Sequence, residues 1–408
     1  MKARYFFYPF LSLFSVAMFA SCSLSVPKEG DIIEDSAFRS VDLRIIEKTK
    51  GTVMSLGDLM ESYEIIRLDN RDEALIKTYP YGVYVTDNYI LLRPADVVSP
   101  VKLFTRKGRY VADIGGVGQG PGEYLYLFSW LVDEKENRIY LGPGRTDKVL
   151  VYDLKGNYLP DEVIRFGEIV HKSQIWVDYD KKNVVVVTLP FSANVNSNFA
   201  ISKNVCWVQN REGDIVHRIP VNHYGLIGDY SNALVARRNV DAISFSISEV
   251  PMLRTRPDTL YHYDAVKNII TPCFTIDHVV SENQSACTVL YETSRSYWAQ
   301  VTLYPNNLSS SVSSVRLPAF NVCVSKKDGN VRRIDRFTDP LLGLSHLFLM
   351  MNNGYICISY DPLELMDALD KVLTQTDLEP DVRKRATDLR NSLHENDNDI
   401  LIIGKLKQ

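Results

Sequence analysis

Short runs of alternating apolar and polar residues fill most of this chain, and they come in pairs joined by polar turns. One set of pairs reads KLFTRKGRYVADIG from Lys102, VLVYDLKGNYL from Val149, CWVQNREGDIVHRI from Cys206, LYHYDAVKNIITPCFTI from Leu260 and FNVCVSKKDGNVRRI from Phe320. Their turns fall at Gly108, Gly156, Gly213, Asn268 and Gly329. A second set reads YGVYVTDNYILL around Asp87, WLVDEKENRIYL around Lys135, IWVDYDKKNVVVV around Lys181 and FLMMNNGYICIS around Asn353, with fainter copies near Asn239 and Ser294. Alternation interrupted by Asn, Asp, Lys and Gly is hairpin chemistry. Recurrence every ~50 residues, four strands to a unit, predicts an all-β fold, a six-bladed β-propeller of four-stranded blades.

Counting strands leaves the last blade one short. After its first hairpin the chain turns helical and ends in DILIIGKLK from Asp399, while SYEIIRLD from Ser62 precedes blade one without a partner. The two chain ends are therefore expected to complete one blade and close the ring, which removes free strand edges. Residues 361–396 are expected to insert a helical hairpin in that blade. Asp361-Pro362 and Glu379-Pro380 suit helix starts; Met366, Leu369 and Leu373 share one face, and Val382, Ala386, Leu389 and Leu393 share another.

The N-terminus supplies an address. Lys2 and Arg4 precede a mostly apolar stretch too short to span a bilayer, and Phe19-Ala20-Ser21-Cys22 ends it as a secretory leader ends. We read residues 1–21 as a signal peptide, Cys22 as a lipid anchor, residues 22–40 as a lipidated tether and residues 41–408 as the propeller. The expected location is the cell envelope, at the outer membrane, with the leaflet left open. A net charge of -4 over 408 residues gives no reason to expect nucleic acid as a partner. Cys206, Cys323 and Cys357 sit in strand patterns as buried thiols, whereas Cys273 and Cys287 could either bridge or stay free.

The run Ile114-Gly115-Gly116-Val117-Gly118-Gln119-Gly120-Pro121-Gly122-Glu123-Tyr124 follows a strand. With the lipobox, the YEIIRLD segment and the late helical stretch, it resembles the six-bladed β-propeller lipoproteins of Bacteroidetes. That resemblance implies the fold and a cell-envelope location, and it carries no catalytic constellation. The glycine run lacks the Gly-Lys-Ser/Thr and following helix of a phosphate loop. We read Gly118, Gly120, Pro121, Gly122, Glu123 and Tyr124 as a structural crossover between blades, with Glu123 accepting bonds from loop amides.

In a propeller, the crossovers and the second-to-third-strand loops share the face that holds the channel mouth, and long loops carry function. Loops there contain Arg93, Arg145, Arg254 and Arg256, whose guanidinium forks suit carboxylates or sulfates. An acidic saccharide or other anion is the expected ligand, with local ion pairing of scattered arginines as the plainer account. The chain has no HExxH, no HxH and no Gly-x-Ser-x-Gly; His217 and His223 form a loop pair, and Asp133, Glu134 and Glu136 fall in a turn on the opposite face. No metal ligand set or cofactor is predicted, and a divalent cation in the central channel stays open. The favoured function is a non-enzymatic binding or scaffolding module for a glycan, peptide or membrane-protein partner. The alternative is a propeller enzyme, a glycan lyase or hydrolase working at the channel mouth.

Overall fold

A computed structural model of the chain describes residues 38–407 apart from residues 97, 179–181, 194–200, 229–231, 239–242, 250–253, 255, 278, 282 and 306–316. The leader and Cys22 lie outside the described residues. Strands form four sheets of four strands, one of five and one of seven, besides two short two-stranded pairs. The first sheet holds Pro80–Val85, Tyr89–Pro94, Val101–Thr105 and Tyr110–Ile114. Leu127–Asp133, Arg138–Pro143, Arg145–Asp153 and Ile164–His171 make the second. The third comprises Gln174–Asp178, Asn183–Val187, Asn204–Gln209 and Ile215–Pro220. Ala233–Arg238, Ile243–Ser248, Asp258–Asp264 and Ile269–Asp277 form the fourth. The fifth is built on Gln284–Glu292, Ser296–Pro305, Ala319–Ser325 and Val331–Thr338. In the sixth, Met350–Asn352, Tyr355–Tyr360 and Ile400–Lys405 are joined by the early strand Glu64–Arg67.

Turn chemistry explains the hairpins. Gly108, Gly156, Gly213, Asn268 and Gly329, the five turn residues of the first repeat set, all have positive φ. At Gly108 there is a second constraint, because a Cβ would lie 2.0 Å from the Arg67 carbonyl oxygen. The last turn of the first sheet thus presses directly on the early strand of the sixth.

Successive sheets meet through apolar seams. Leu103 packs with Ile139 between the first and second sheets, Val151 with Val184 between the second and third, and Val205 with Phe245 between the third and fourth. Phe274 and Val301 share the next seam, Phe337 and Ile356 the one after, and Leu401 of the sixth sheet returns to Ile90 of the first. Both faces of these strands are covered, so their apolar runs are nearly continuous.

Uniform four-stranded sheets need correction. Arg39–Asp42 adds in parallel to Ile269–Asp277, and Thr52–Ser55 adds in parallel to Val331–Thr338. Glu64–Arg67 then pairs antiparallel with Ile400–Lys405, Glu64 facing Ile403 and Arg67 facing Ile400. The N-terminal segment therefore covers the outer edges of the fourth, fifth and sixth sheets in turn, which hides their unpaired backbone groups. Its first strand begins inside the stretch read as tether.

Helices Pro362–Leu373 and Pro380–Asn391 lie between the second and third strands of the sixth sheet. Asp361 caps the first, its side chain accepting from the Leu363 and Glu364 amides. Leu365, Leu369, Val372, Ala386 and Leu393 pack on Ile400 and Ile402 together with Leu342 and Leu344. The pair fills the outer wedge between the fifth and sixth sheets.

Asp399 leads into the closing strand, buried, accepting a bond from Ser359 at 2.8 Å. Burial, and then the charges of Asp361 and Glu364, push its carboxyl up to about 7. The folded chain then binds a proton that the unfolded chain has lost above its ordinary pKa of about 3.9. This contribution is fully present below pH ~4 and disappears as pH rises through 7. Asp399→Asn is expected to be more stable than the parent at pH 8, on the order of 2–4 kcal/mol, and equal to it near pH 4. Urea titrations of both proteins at the two pH values check this, and a constant difference contradicts it.

Candidate functional site: an aromatic mouth around Arg93

The first strands of the first and second sheets lie side by side, and each is entered through an aromatic pair. Tyr79 and Tyr81 flank Pro80, while Tyr124 and Tyr126 flank Leu125. Tyr79 is 74% exposed, Tyr81 48%, Leu125 60% and Tyr126 41%, a cluster of large surface side chains at one end of the seam. Arg93 stands opposite Gly82 in the first sheet and is itself buried. Its guanidinium lies 4.2 Å from the Tyr81 ring centroid, 5.0 Å from Tyr126 and 5.5 Å from Trp130. Trp130 and Tyr81 meet edge to face at 6.1 Å.

Two glycines make room for these rings. A Cβ on Gly82 would lie 2.1 Å from the Trp130 ring, and one on Gly144 would lie 2.6 Å from Tyr126. The Gly144 amide also donates to the Tyr126 carbonyl at 2.9 Å. Arg145, next along the strand, is exposed and faces His171 across the ladder. Burial, then the charges of Arg145 and Lys172, hold the His171 imidazole down at about 4. His171 is therefore neutral at physiological pH, and the cations at this mouth are Arg93, Arg145 and Lys172. Arg93 Nη1 and Trp130 Nε1 are buried without a hydrogen-bond partner. A buried donor lacking an acceptor is costly, so the cage presents an unfilled demand for an oxygen.

Arg254 and Arg256 are placed elsewhere and are engaged. Arg254 is buried, donating to the Ala286 and Glu249 carbonyls, 3.5 Å from the Asp258 carboxylate. Arg256 donates to the carbonyls of His223 and Tyr224. Arg254 ties the loop between the second and third strands of the fourth sheet to the first strand of the fifth, and Arg256 ties it to the turn Asn222–Tyr224. Of the four arginines, Arg93 packs over Tyr126, and Arg145 follows Gly144, whose Cβ position meets the Tyr126 ring.

The glycine run forms a compact crossover just behind the cage. Gly116–Val117 pairs in parallel with Glu123–Tyr124, and the Gly120 amide donates to the Glu123 carboxylate at 2.7 Å. The Tyr124 hydroxyl accepts from the Val101 amide at 2.9 Å and donates to the Ile114 carbonyl at 3.1 Å. These bonds fix the peptide that carries Leu125 and Tyr126.

Other candidates have structural partners. His217 bonds the Ala265 carbonyl at 2.7 Å, His223 packs on Tyr224, and Glu134 accepts from both nitrogens of Asn88. Among the described residues no group of three His, Cys, Asp or Glu side chains is arranged to hold a metal. Cys273 and Cys287 are both free thiols. A cavity of about 470 Å³ opens beside the fifth sheet, lined by Glu47, Phe320, Arg333, Asp335 and Arg336 among others. Among the described residues no helix is long and apolar enough to cross a membrane.

Mostly four-stranded antiparallel sheets, stacked through apolar seams with few helices, define a β-propeller arrangement. Residues 40–405 match the family described as Domain of unknown function (DUF4934), and the chain belongs to that family. Among solved structures it is similar to a Bacteroides fragilis protein described as exported, at 16% identity and a TM-score of 0.58, over 91% of this chain and 100% of that one. A DUF4221-family protein of Bacteroides vulgatus is similar at 10% identity and a TM-score of 0.41, over 86% of this chain and 97% of that one. A GH43 protein of Bacillus licheniformis gives 12% identity and a TM-score of 0.36, over 66% and 56% of the respective chains. No curated protein matches this chain.

Proposed function

We propose that this protein is an exported, envelope-bound binding module, anchored by lipid on Cys22 at the outer membrane, whose sheets close as a six-bladed ring. Its ligand is an acidic saccharide held at the aromatic mouth. The observation that carries the proposal is the buried Arg93 guanidinium, ringed by Tyr81, Tyr126 and Trp130, with Nη1 unpartnered. Exposed tyrosines offer flat apolar surface to the C–H faces of a sugar ring, while Arg93 and Arg145 offer donors to its carboxylate or sulfate. Binding is the chemistry we assign to these rings.

Titration of polygalacturonate, chondroitin sulfate and neutral dextran into the purified protein tests this. The acidic polymers should bind and dextran should not. Tyr81→Ala should weaken binding about tenfold and Arg93→Met about 10- to 100-fold, whereas Lys384→Ala, on the exposed face of the second long helix, should change nothing. Failure of every acidic polymer to bind, or full affinity in Tyr81→Ala and Arg93→Met, removes the proposal. Cleavage of the polymer during titration would instead make the mouth an active site.

A further inference from the structure

A small cavity lies beside Arg93, and the polar side chains of its wall are mostly spoken for. Its volume is about 10 Å³, close to the ~10–15 Å³ that one water needs. Arg93, Asp96, Ser99, Tyr124 and Tyr126 line it together with apolar neighbours. The Asp96 carboxylate accepts from the Val98 amide at 2.9 Å, from the Ser99 amide and from the Thr78 hydroxyl at 3.1 Å. The Tyr124 hydroxyl is engaged twice, with the Val101 amide and the Ile114 carbonyl. Arg93 Nη1 is the donor left without a partner. The wall therefore has room for one oxygen and one donor to hold it.

Clearance around that donor is narrow. The guanidinium carbon lies over the Tyr81 ring at 4.2 Å, a stacking distance that admits no second layer of atoms between them, and Tyr126 and Trp130 crowd it at 5.0 and 5.5 Å. A carboxylate is one atom thick and pairs with a guanidinium edge to edge, in its plane. A sulfate ester is tetrahedral, so some of its oxygens leave that plane and meet the rings. Tyr81 adds a second donor at the same place. Burial, and then the neighbouring Tyr126 phenol, raise its hydroxyl above the ordinary value, so it keeps its proton at neutral pH.

We infer that the mouth selects uronic acids, with Arg93 seating one oxygen of a planar carboxylate in the small cavity, and discriminates against sugars whose only anion is a sulfate. This rests on the saccharide reading of the mouth and narrows its ligand from acidic sugars in general to carboxylate sugars. The first carboxylate oxygen accepts from Arg93 Nη1 and the second from the Tyr81 hydroxyl.

Three polymers titrated calorimetrically at one ionic strength test it: polygalacturonate, its fully methyl-esterified form, and dextran sulfate. Polygalacturonate should bind. The ester keeps the sugar without the charge and dextran sulfate keeps charge without a carboxylate, so each should bind about tenfold more weakly or worse. Arg93→Lys retains the charge but loses the planar fork, and should bind polygalacturonate and dextran sulfate equally. Should that variant fail to fold, the parent's affinity ratios still decide. Dextran sulfate bound as tightly as polygalacturonate overturns the inference while leaving the acidic-saccharide reading in place, and an ester bound as tightly as the acid overturns it too. If neither acidic polymer binds, the saccharide reading fails and the inference falls with it.

Discussion

Removal of residues 400–407 should abolish cooperative unfolding altogether. Ile400–Lys405 lies between Tyr355–Tyr360 and Glu64–Arg67, hydrogen-bonded to both. Ile400, Leu401, Ile402 and Ile403 are each at most 1% exposed. Leu401 and Ile403 enter the seam with the first sheet, and Ile400 and Ile402 receive the two long helices. At about 1.5–3 kcal/mol for each buried side chain, these four contribute roughly as much as the whole net stability of a domain, about 5–15 kcal/mol. Their loss also frees Glu64–Arg67 from its only neighbouring strand among the described residues. Differential scanning calorimetry should show no single sharp transition in the truncated protein. A full-length-like transition would mean that the ring does not depend on closure.

Replacing Glu292 should be the most damaging single substitution. Burial by itself would raise its carboxyl, yet the bonds and charges of His262 and Lys326 outweigh burial and hold it at about 2. Glu292→Gln leaves His262 and Lys326 without their shared buried carboxylate, and breaking such a pair typically costs about 3–5 kcal/mol. The depressed carboxyl stabilises the fold above the unfolded pKa near 4.3, and that contribution is lost as pH falls through 2. The variant's deficit should therefore be full at pH 6 and shrink towards pH 2. Urea midpoints of parent and variant across that range measure it, and a deficit under 1 kcal/mol at pH 6 would show the triad to be energetically idle.

The candidate site was only partly legible before folding. Arg93 and Arg145 could be nominated from loop position, but so could Arg254 and Arg256, which the fold consumes as donors to the carbonyls of Ala286, Glu249, His223 and Tyr224. A guanidinium's partners lie tens of residues away, so loop membership alone does not separate a free fork from a tied one. Tyr79, Tyr81, Tyr126 and Trp130 went unread because aromatic residues belong in strands anyway. A signal was present in TYPYG and EYLYLFSW: paired aromatics at the entry to two successive first strands. The strands at Arg39–Asp42 and Thr52–Ser55 were also missed, since each is four residues long and pairs with a strand far along the chain.

By itself the sequence determined what is local. Alternation with period two, turn residues able to take positive φ, and a Pro after an N-capping Asp specify hairpins and the helix start within a few residues of chain. They dictate a repetitive all-β architecture because each hairpin must bury both faces. Tertiary structure decided which residues meet across seams: that Trp130 lies over Gly82, that Arg93 sits inside three rings, and that Glu292 joins His262 to Lys326. Those contacts depend on inter-sheet distance and rotation, set by the summed packing of all the seams, and no short window of sequence encodes that sum.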